Sequence, residues 1–274
     1  MCATLVAEGD RNIALIGHGA LARHVIECVT KAPGLRISAV LVRAARVQET
    51  QELLPATIRA VESVDAIEDR VDLVVELAGH SAVAAHVPEI LERGIDVAIA
   101  STGALADERL RLRLLKSAER GHAQLHVLSG AIGAIDALAA HGEGDLHAVL
   151  YTGTKPPTAW KDTPAAREFD LDQLTSAVTI YEGSAREAAR SYPRNANVAA
   201  TIALAGVGFD RTRVRLIAAP GTSENVHRIE ASSSAGRFTI ELVGKPIAGN
   251  PRSSLLTALS AVRVARNLTR GLVV

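Results

Sequence analysis

Apolar residues in the first half of the chain fall in short runs, separated by stretches with helical spacing. Asn12 to Ile16 (NIALI) is an apolar run of strand length. Leu21, Val25 and Val29 recur every four residues within Ala20 to Thr30, which predicts a helix with one buried face, broken at Pro33 and Gly34. Further strands are expected at Arg36 to Val42, Val71 to Leu77, Ile95 to Ala100 and Gln124 to Leu128. Helices are expected at Ser81 to Arg93 and Asp107 to Arg120, closed by Gly94 and Gly121. Apolar strands alternating with amphipathic helices imply parallel strands joined by crossover helices, with both faces of the sheet covered.

The rhythm changes after about residue 130. A helix (Ile135 to His141), a strand (Leu146 to Thr152) and a Pro-rich loop through Lys155, Pro156, Pro157 and Trp160 come first. Strand-like segments follow at Val178 to Tyr181, Val214 to Ala218, Val226 to Ala231 and Arg237 to Val243, with helices at Ala185 to Arg190 and Val198 to Ala205. Longer loops and clustered late strands indicate a mixed sheet. The last helix, roughly Ser253 to Leu268, carries Leu255, Leu259, Val262 and Ala265 on one face.

Strand NIALI runs directly into Gly17, His18, Gly19, Ala20, Leu21 and Ala22, which open the first helix. This is G-x-G-x-x-A at the first strand–helix junction of an alternating domain. Gly17 permits the tight turn, Gly19 removes the Cβ that would block a pyrophosphate, and Ala22 allows close packing, while the N–H groups around Ala20 and Leu21 face the anion. The expected fold is therefore α/β. A Rossmann-type, doubly wound parallel sheet spans residues 1–130 and an α+β mixed-sheet catalytic domain spans 131–250. A C-terminal helix, 251–274, is able to pack back on the first domain. At the end of the second strand stands Arg43, where an acid would select NAD and an arginine accommodates the 2′-phosphate of NADP, so the cofactor is read as NAD or NADP. Ala78-Gly79-His80 and Ser101-Thr102 follow two other strands and are expected to contact the cofactor, because ligands of open α/β sheets bind beyond the carboxyl ends of the strands.

Charge narrows the partners. Thirty basic residues balance thirty acidic ones, so no basic field points to nucleic acid or an anionic membrane. Cys2 and Cys28 have no metal-ligand spacing and read as free thiols of a reducing compartment. No signal peptide or membrane-spanning run is visible, which implies a soluble cytoplasmic protein. Metal motifs such as H-E-x-x-H are absent, as is a G-x-S-x-G elbow. His227 begins a strand on which His227, Ile229 and Ala231 share one face. Periodicity alone leaves it either a satisfied core histidine or a functional one.

GHGALA, VELAGH, SGAIGAIDALAA, YTGTKPPTAW, YPRNANVAATIALAG and ENVH, in this order, resemble the L-aspartate dehydrogenase family from about Asn12 to Leu268. His18 and Ala22 depart from the G-C-G-A-I-G that is frequent in the family turn. The resemblance implies NAD- or NADP-linked oxidation of L-aspartate through iminoaspartate to oxaloacetate and ammonia, or delivery of iminoaspartate to NAD biosynthesis. It also implies a homodimer formed through the C-terminal domain. It places Ala131 and Asn197 at cofactor-contacting positions and His227 at the active-site histidine. A histidine titrating near neutrality would suit the proton transfers of amine oxidation. The two substrate carboxylates need donors, for which Lys155 and Thr154 are candidates, with Lys245 a less favoured one. Competing readings are a dihydrodipicolinate-reductase-like or homoserine-dehydrogenase-like oxidoreductase, and a non-catalytic NAD(P)-sensing regulator.

Overall fold

The computed structural model describes residues 9–67, 70–193, 197–248 and 250–273, so Cys2 lies outside the described residues. The chain divides into two compact units, Met1–Leu128 with Ala258–Val274, and Ser129–Thr257.

The first unit contains β1 (Arg11–Ile16), α1 (Ala20–Val29), β2 (Leu35–Leu41), α2 (Val47–Leu53), β3 (Arg59–Val61), β4 (Leu73–Glu76), α3 (His80–Glu92), β5 (Asp96–Ile99), α4 (Glu108–Gly121) and β6 (Leu125–Val127). All its strands are parallel, in the order β3-β2-β1-β4-β5-β6. The centre of this sheet is dry. Ile13, Leu15, Val40, Val74, Val75, Val97 and Ile99 are all fully buried, as expected of strands covered on both faces. The order reverses at β1, because β2 and β4 flank it and the chain proceeds outward on both sides. That reversal opens a crevice beyond the carboxyl ends of β1 and β4.

Two helices differ from expectation. Helix α4 continues through Gly121, and the left-handed residue that stops it is His122 (φ 53°). Gly121 serves packing instead: a Cβ there would overlap the Leu91 carbonyl oxygen and come within 2.8 Å of its carbon. The last helix, α9 (Leu255–Asn267), turns a different stripe inward. Ala258, Ala261, Val262 and Ala265 are buried, whereas Leu259 remains 42% exposed. The small residues of this helix form the close contact, and its larger apolar side chains lie at the margin.

The second unit holds α5 (Ile135–Gly142), β7 (Leu146–Lys155), α6 (Ala165–Glu168), β8 (Val178–Ser184), α7 (Ala185–Ser191), α8 (Asn197–Ala205), β9 (Arg213–Ala218), β10 (Asn225–Ser233), β11 (Gly236–Gly244) and the short hairpin β12 (Pro246–Ile247) and β13 (Asn250–Ser254), from which α9 (Leu255–Asn267) continues. Its five-stranded sheet runs β11-β10-β7-β9-β8, with β7 and β9 parallel and the other pairs antiparallel. Helix α8 packs with α5 and α7, and the turn after it lies against Val149 of β7. One sheet face is thereby covered. The opposite face carries the ion pairs Arg228–Glu230 and Arg215–Glu182. No helix among the described residues is long and apolar enough to cross a membrane.

Because Gly121 meets backbone rather than a mobile side chain, Gly121→Ala is expected to destabilise the protein by about 1–3 kcal/mol or more, as overpacking does. Urea unfolding checks this, and an unchanged midpoint would show that the α3–α4 contact relaxes freely.

Candidate active site

The glycine-rich turn after β1 lies in the first unit. Gly17 has φ +97°, and a Cβ on it would stand 2.8 Å from the Cβ of Ala78. The turn after β1 therefore rests on the end of β4 with no room for a side chain. Gly19 caps α1 with extended backbone and no side-chain bond, and a Cβ on it would meet nothing within 4 Å. The first N–H groups of α1, at Ala20 and Leu21 among others, have no intrahelical acceptor, and no acid stands in the first turn. Open space over a glycine, at a helix N-terminus without an acid, fits a diphosphate. The residues present thus suit NAD or NADP.

Around that turn the structure places the other expected contacts. Arg43 is exposed just beyond β2. Arg46 is ion-paired with Glu49 at 2.6 Å. Burial, assisted by the Arg23 and Arg46 guanidinium groups, lowers the pKa of His18. Arg23 and Arg46 thus bring guanidinium groups beside His18, one of them paired with Glu49. Leu77, Ala78 and Gly79 connect β4 to α3, which opens at His80, with Gly79 at φ 125° and ψ 171°, a region that only glycine occupies readily. Ser101 and Thr102 follow β5 and are buried. The sequence reading missed Glu76, the last residue of β4. It is fully buried and accepts hydrogen bonds from the N–H of Ala78, Gly79 and Ser101 and from the Ser101 hydroxyl.

The second unit builds a different site from one sheet face. Strands β7 and β10 pair antiparallel, with Gly153 opposite His227 and Tyr151 opposite Ile229. Tyr151, Gly153 and Lys155 alternate onto the covered face together with His227. Gly153 has a specific use there. A Cβ on it would stand 2.5 Å from the Tyr151 hydroxyl oxygen. The missing side chain lets the phenol lie along its own strand and reach across to β10, where Tyr151 Oη is 2.8 Å from His227 Nδ1. That contact fixes the ring and leaves Nε2 for a ligand.

Lys155 is the last residue of β7, where the sequence had suggested a loop. Two residues past Gly153, it is buried, and its Nζ lies 5.8 Å from the centroid of the buried Trp160 ring. Thr154 does not join this group. It pairs with Val226 on the opposite face of the sheet, because adjacent strand residues point to opposite sides. Ala131 is buried just before α5, and Asn197 is the first residue of α8.

Burial dominates the electrostatics. It pushes the Lys155 ammonium down to about 8, and together with the charge of Lys155 it pushes the His227 imidazole down to about 3. The Tyr151 phenol is raised and stays protonated. His227 is therefore far from the near-neutral titration expected of it, because desolvation penalises its cation. The ring is a neutral imidazole, a proton acceptor whose cationic form is disfavoured by burial and by the charge of Lys155.

Comparison with known proteins gives a consistent picture. Residues 17–128 match the family model "Homoserine dehydrogenase, NAD binding domain", and residues 136–268 match "Aspartate dehydrogenase, C-terminal". The L-aspartate dehydrogenase of Ralstonia nicotianae is 48% identical over 260 residues, covering 93% of this chain and 97% of the relative. The crystal structure of aspartate dehydrogenase from Thermotoga maritima superposes with a TM-score of 0.77 at 27% identity, covering 96% of this chain and 99% of that one. Dihydrodipicolinate reductase from Paenisporosarcina sp. shares the fold at a TM-score of 0.52 and 16% identity, over 95% of each chain.

Since the folded-state pKa of His227 is depressed below the ordinary 6.5, its stabilising contribution is present above that pH and is lost as pH falls toward 3. In the ligand-free protein the His227 ring protons should accordingly show no NMR titration between pH 8 and 5. A midpoint near 6.5 would mean that the ring is solvated.

Proposed function

The chain belongs to the L-aspartate dehydrogenase family, and from that membership we propose that Tyr151, Lys155 and His227 form the centre at which it acts on L-aspartate. It is an NAD(P)-dependent oxidoreductase of the CH–NH2 group. L-Aspartate passes through iminoaspartate to oxaloacetate and ammonia, reversibly. The observation that carries the assignment is the hydrogen-bonded Tyr151–His227 pair, buried beside Lys155 on one covered sheet face.

A bound nicotinamide supplies the hydride acceptor. The chain must bind two carboxylates, hold the amine neutral and move protons. Lys155 and His227 both have cationic forms disfavoured by burial, and a dicarboxylate entering beside them offsets that penalty with its own negative charge. Lys155 then becomes a full ammonium and binds a carboxylate. With Nδ1–H donated to Tyr151 Oη, His227 presents the Nε2 lone pair and takes a proton from the substrate ammonium, so that Cα bears a neutral amine when its hydride leaves. After that proton has passed to solvent, the same nitrogen draws a proton from the water whose oxygen attacks the iminium carbon. It returns this proton to the amine nitrogen of the resulting carbinolamine, whose C–N bond breaks to release ammonia as the hydroxyl loses its proton to solvent and the oxaloacetate carbonyl forms. A monocarboxylate brings half the charge and relieves the penalty less, which favours aspartate over alanine.

The cofactor contacts proposed are Gly17, Gly19, Ala20, Leu21, Ala78, Gly79, His80, Ser101 and Thr102, with Ala131 and Asn197 assigned by resemblance. Arg43 is proposed to tolerate the 2′-phosphate of NADP, supported by its exposed place just beyond β2. A homodimer is part of the same reading. The open sheet face supports it, because Val243, Val226, Thr154 and Ile217 line up across four strands there and Val243 is 53% exposed. A cytoplasmic location is supported by Cys28 standing as a free thiol.

Purified protein given ammonium and reduced cofactor should oxidise that cofactor with oxaloacetate and do so poorly with pyruvate or 2-oxoglutarate. Equal turnover of all three ketoacids would remove the aspartate assignment. In the same assay His227→Ala should fold and bind cofactor nearly as wild type, with kcat reduced roughly 10²–10⁴-fold, the usual contribution of a positioned acid–base group. A well-folded His227→Ala enzyme with near-normal kcat would make His227 a packing residue.

A further inference from the structure

Glu76 has no role in the chemistry above, yet it is a fully buried carboxylate with four hydrogen-bond donors. Its side chain is 0% exposed at the carboxyl end of β4. Oε1 accepts from Ala78 N at 2.7 Å, from Gly79 N at 2.7 Å and from Ser101 Oγ at 2.9 Å, and Oε2 accepts from Ser101 N at 3.0 Å. Among the described residues no cation pairs with it. A carboxylate that is buried without a counter-ion survives only where donors surround it.

Those donors come from two separate loops. Ala78 and Gly79 follow β4, Ser101 follows β5, and the main chains of these strands are themselves tied by Ala100 N donating to Glu76 O at 3.1 Å. A third loop rests on the first, since Ala78 is the residue against which the Gly17 turn closes. One carboxylate thus fixes the strand ends of β4 and β5 directly and that of β1 through Ala78. Gly79 holds a conformation open to little but glycine, and two short hydrogen bonds to Glu76 flank it on the N-terminal side.

We propose that Glu76 is a positioning residue for the cofactor, its carboxylate setting the height of the loops after β1, β4 and β5 on which the dinucleotide lies. This rests on the reading of those strand ends as the cofactor floor. The negative charge is required as well as the shape. An ionised carboxylate accepts all four hydrogen bonds and presents no donor of its own. A glutamine of the same size would turn its NH2 toward at least one of the N–H groups, leaving that group unpaired and pushing a loop away.

The test uses the full-length enzyme with Glu76→Gln and Glu76→Asp. Glu76→Gln should weaken the binding of reduced cofactor, followed by nicotinamide fluorescence, by roughly tenfold to a hundredfold, the range for lost hydrogen bonds to a charged group. KM for the cofactor should rise in step, while kcat at saturating cofactor and KM for aspartate stay close to wild type. Glu76→Asp keeps the charge but is one methylene too short to span both loops, so it should fold and show an intermediate loss. If Glu76 only holds the fold together, melting temperature falls while cofactor affinity and KM in the folded protein are unchanged, and that result overturns the proposal. Should Glu76→Gln not fold, wild-type affinity in Glu76→Asp overturns it equally. Wild-type protein that binds neither NAD nor NADP would instead remove the cofactor floor itself, before any variant is compared.

Discussion

Taking two basic side chains out of water is the constraint on which the catalytic reading depends. Lys155 and His227 sit on one covered face of a five-stranded sheet, and burial lowers the proton affinity of both. A protein keeps such groups buried at a cost, since each loses hydration that its charged form would enjoy. The cost is offset when the ligand is itself a dianion. On this account substrate selection and proton transfer have one origin: the charge that relieves Lys155 and His227 arrives with the two carboxylates of the substrate.

The backbone prepares this arrangement in small ways. Gly153 is the residue that makes the Tyr151–His227 contact possible, because any side chain would occupy the space of the phenol hydroxyl. Tyr181 and Gly183 repeat the device in β8, where a Cβ on Gly183 would overlap the Tyr181 hydroxyl. In the first unit the same economy appears at Gly17, whose missing side chain brings the β1 turn against Ala78. Glycines used for close approach, rather than for turning alone, connect the sequence motifs to the geometry of both sites.

Much of the fold was legible because its signals are periodic. The central strands of the first unit are continuous apolar runs, and the glycine-rich turn stands where the order reverses. The edge was not legible: α2 buries only Thr50, and β3 is three residues long, so neither has an apolar pattern to detect. His227 was visible as a covered strand residue, but its partner was not, since Tyr151 lies 76 residues away and meets it only through the register of β7 and β10. Glu76 was missed for the opposite reason. It stands near the end of an apolar run, VDLVVEL, whose pattern carries no sign of a buried acid, and only the donors converging from two loops reveal why it is buried. Thr154 was grouped with Lys155 by adjacency, and strand alternation alone would have separated them.

Proton uptake on binding tests the central claim most directly. Succinate carries the two carboxylates of aspartate without its amine. Its binding to the cofactor-saturated enzyme near pH 8 can be followed by calorimetry in buffers of different ionisation enthalpy. If the dianion restores the cationic forms of buried Lys155 and His227, succinate binds with net uptake of a fraction of a proton, and propionate, with a single carboxylate, takes up less. Binding of succinate with no uptake, or with release, would contradict the account.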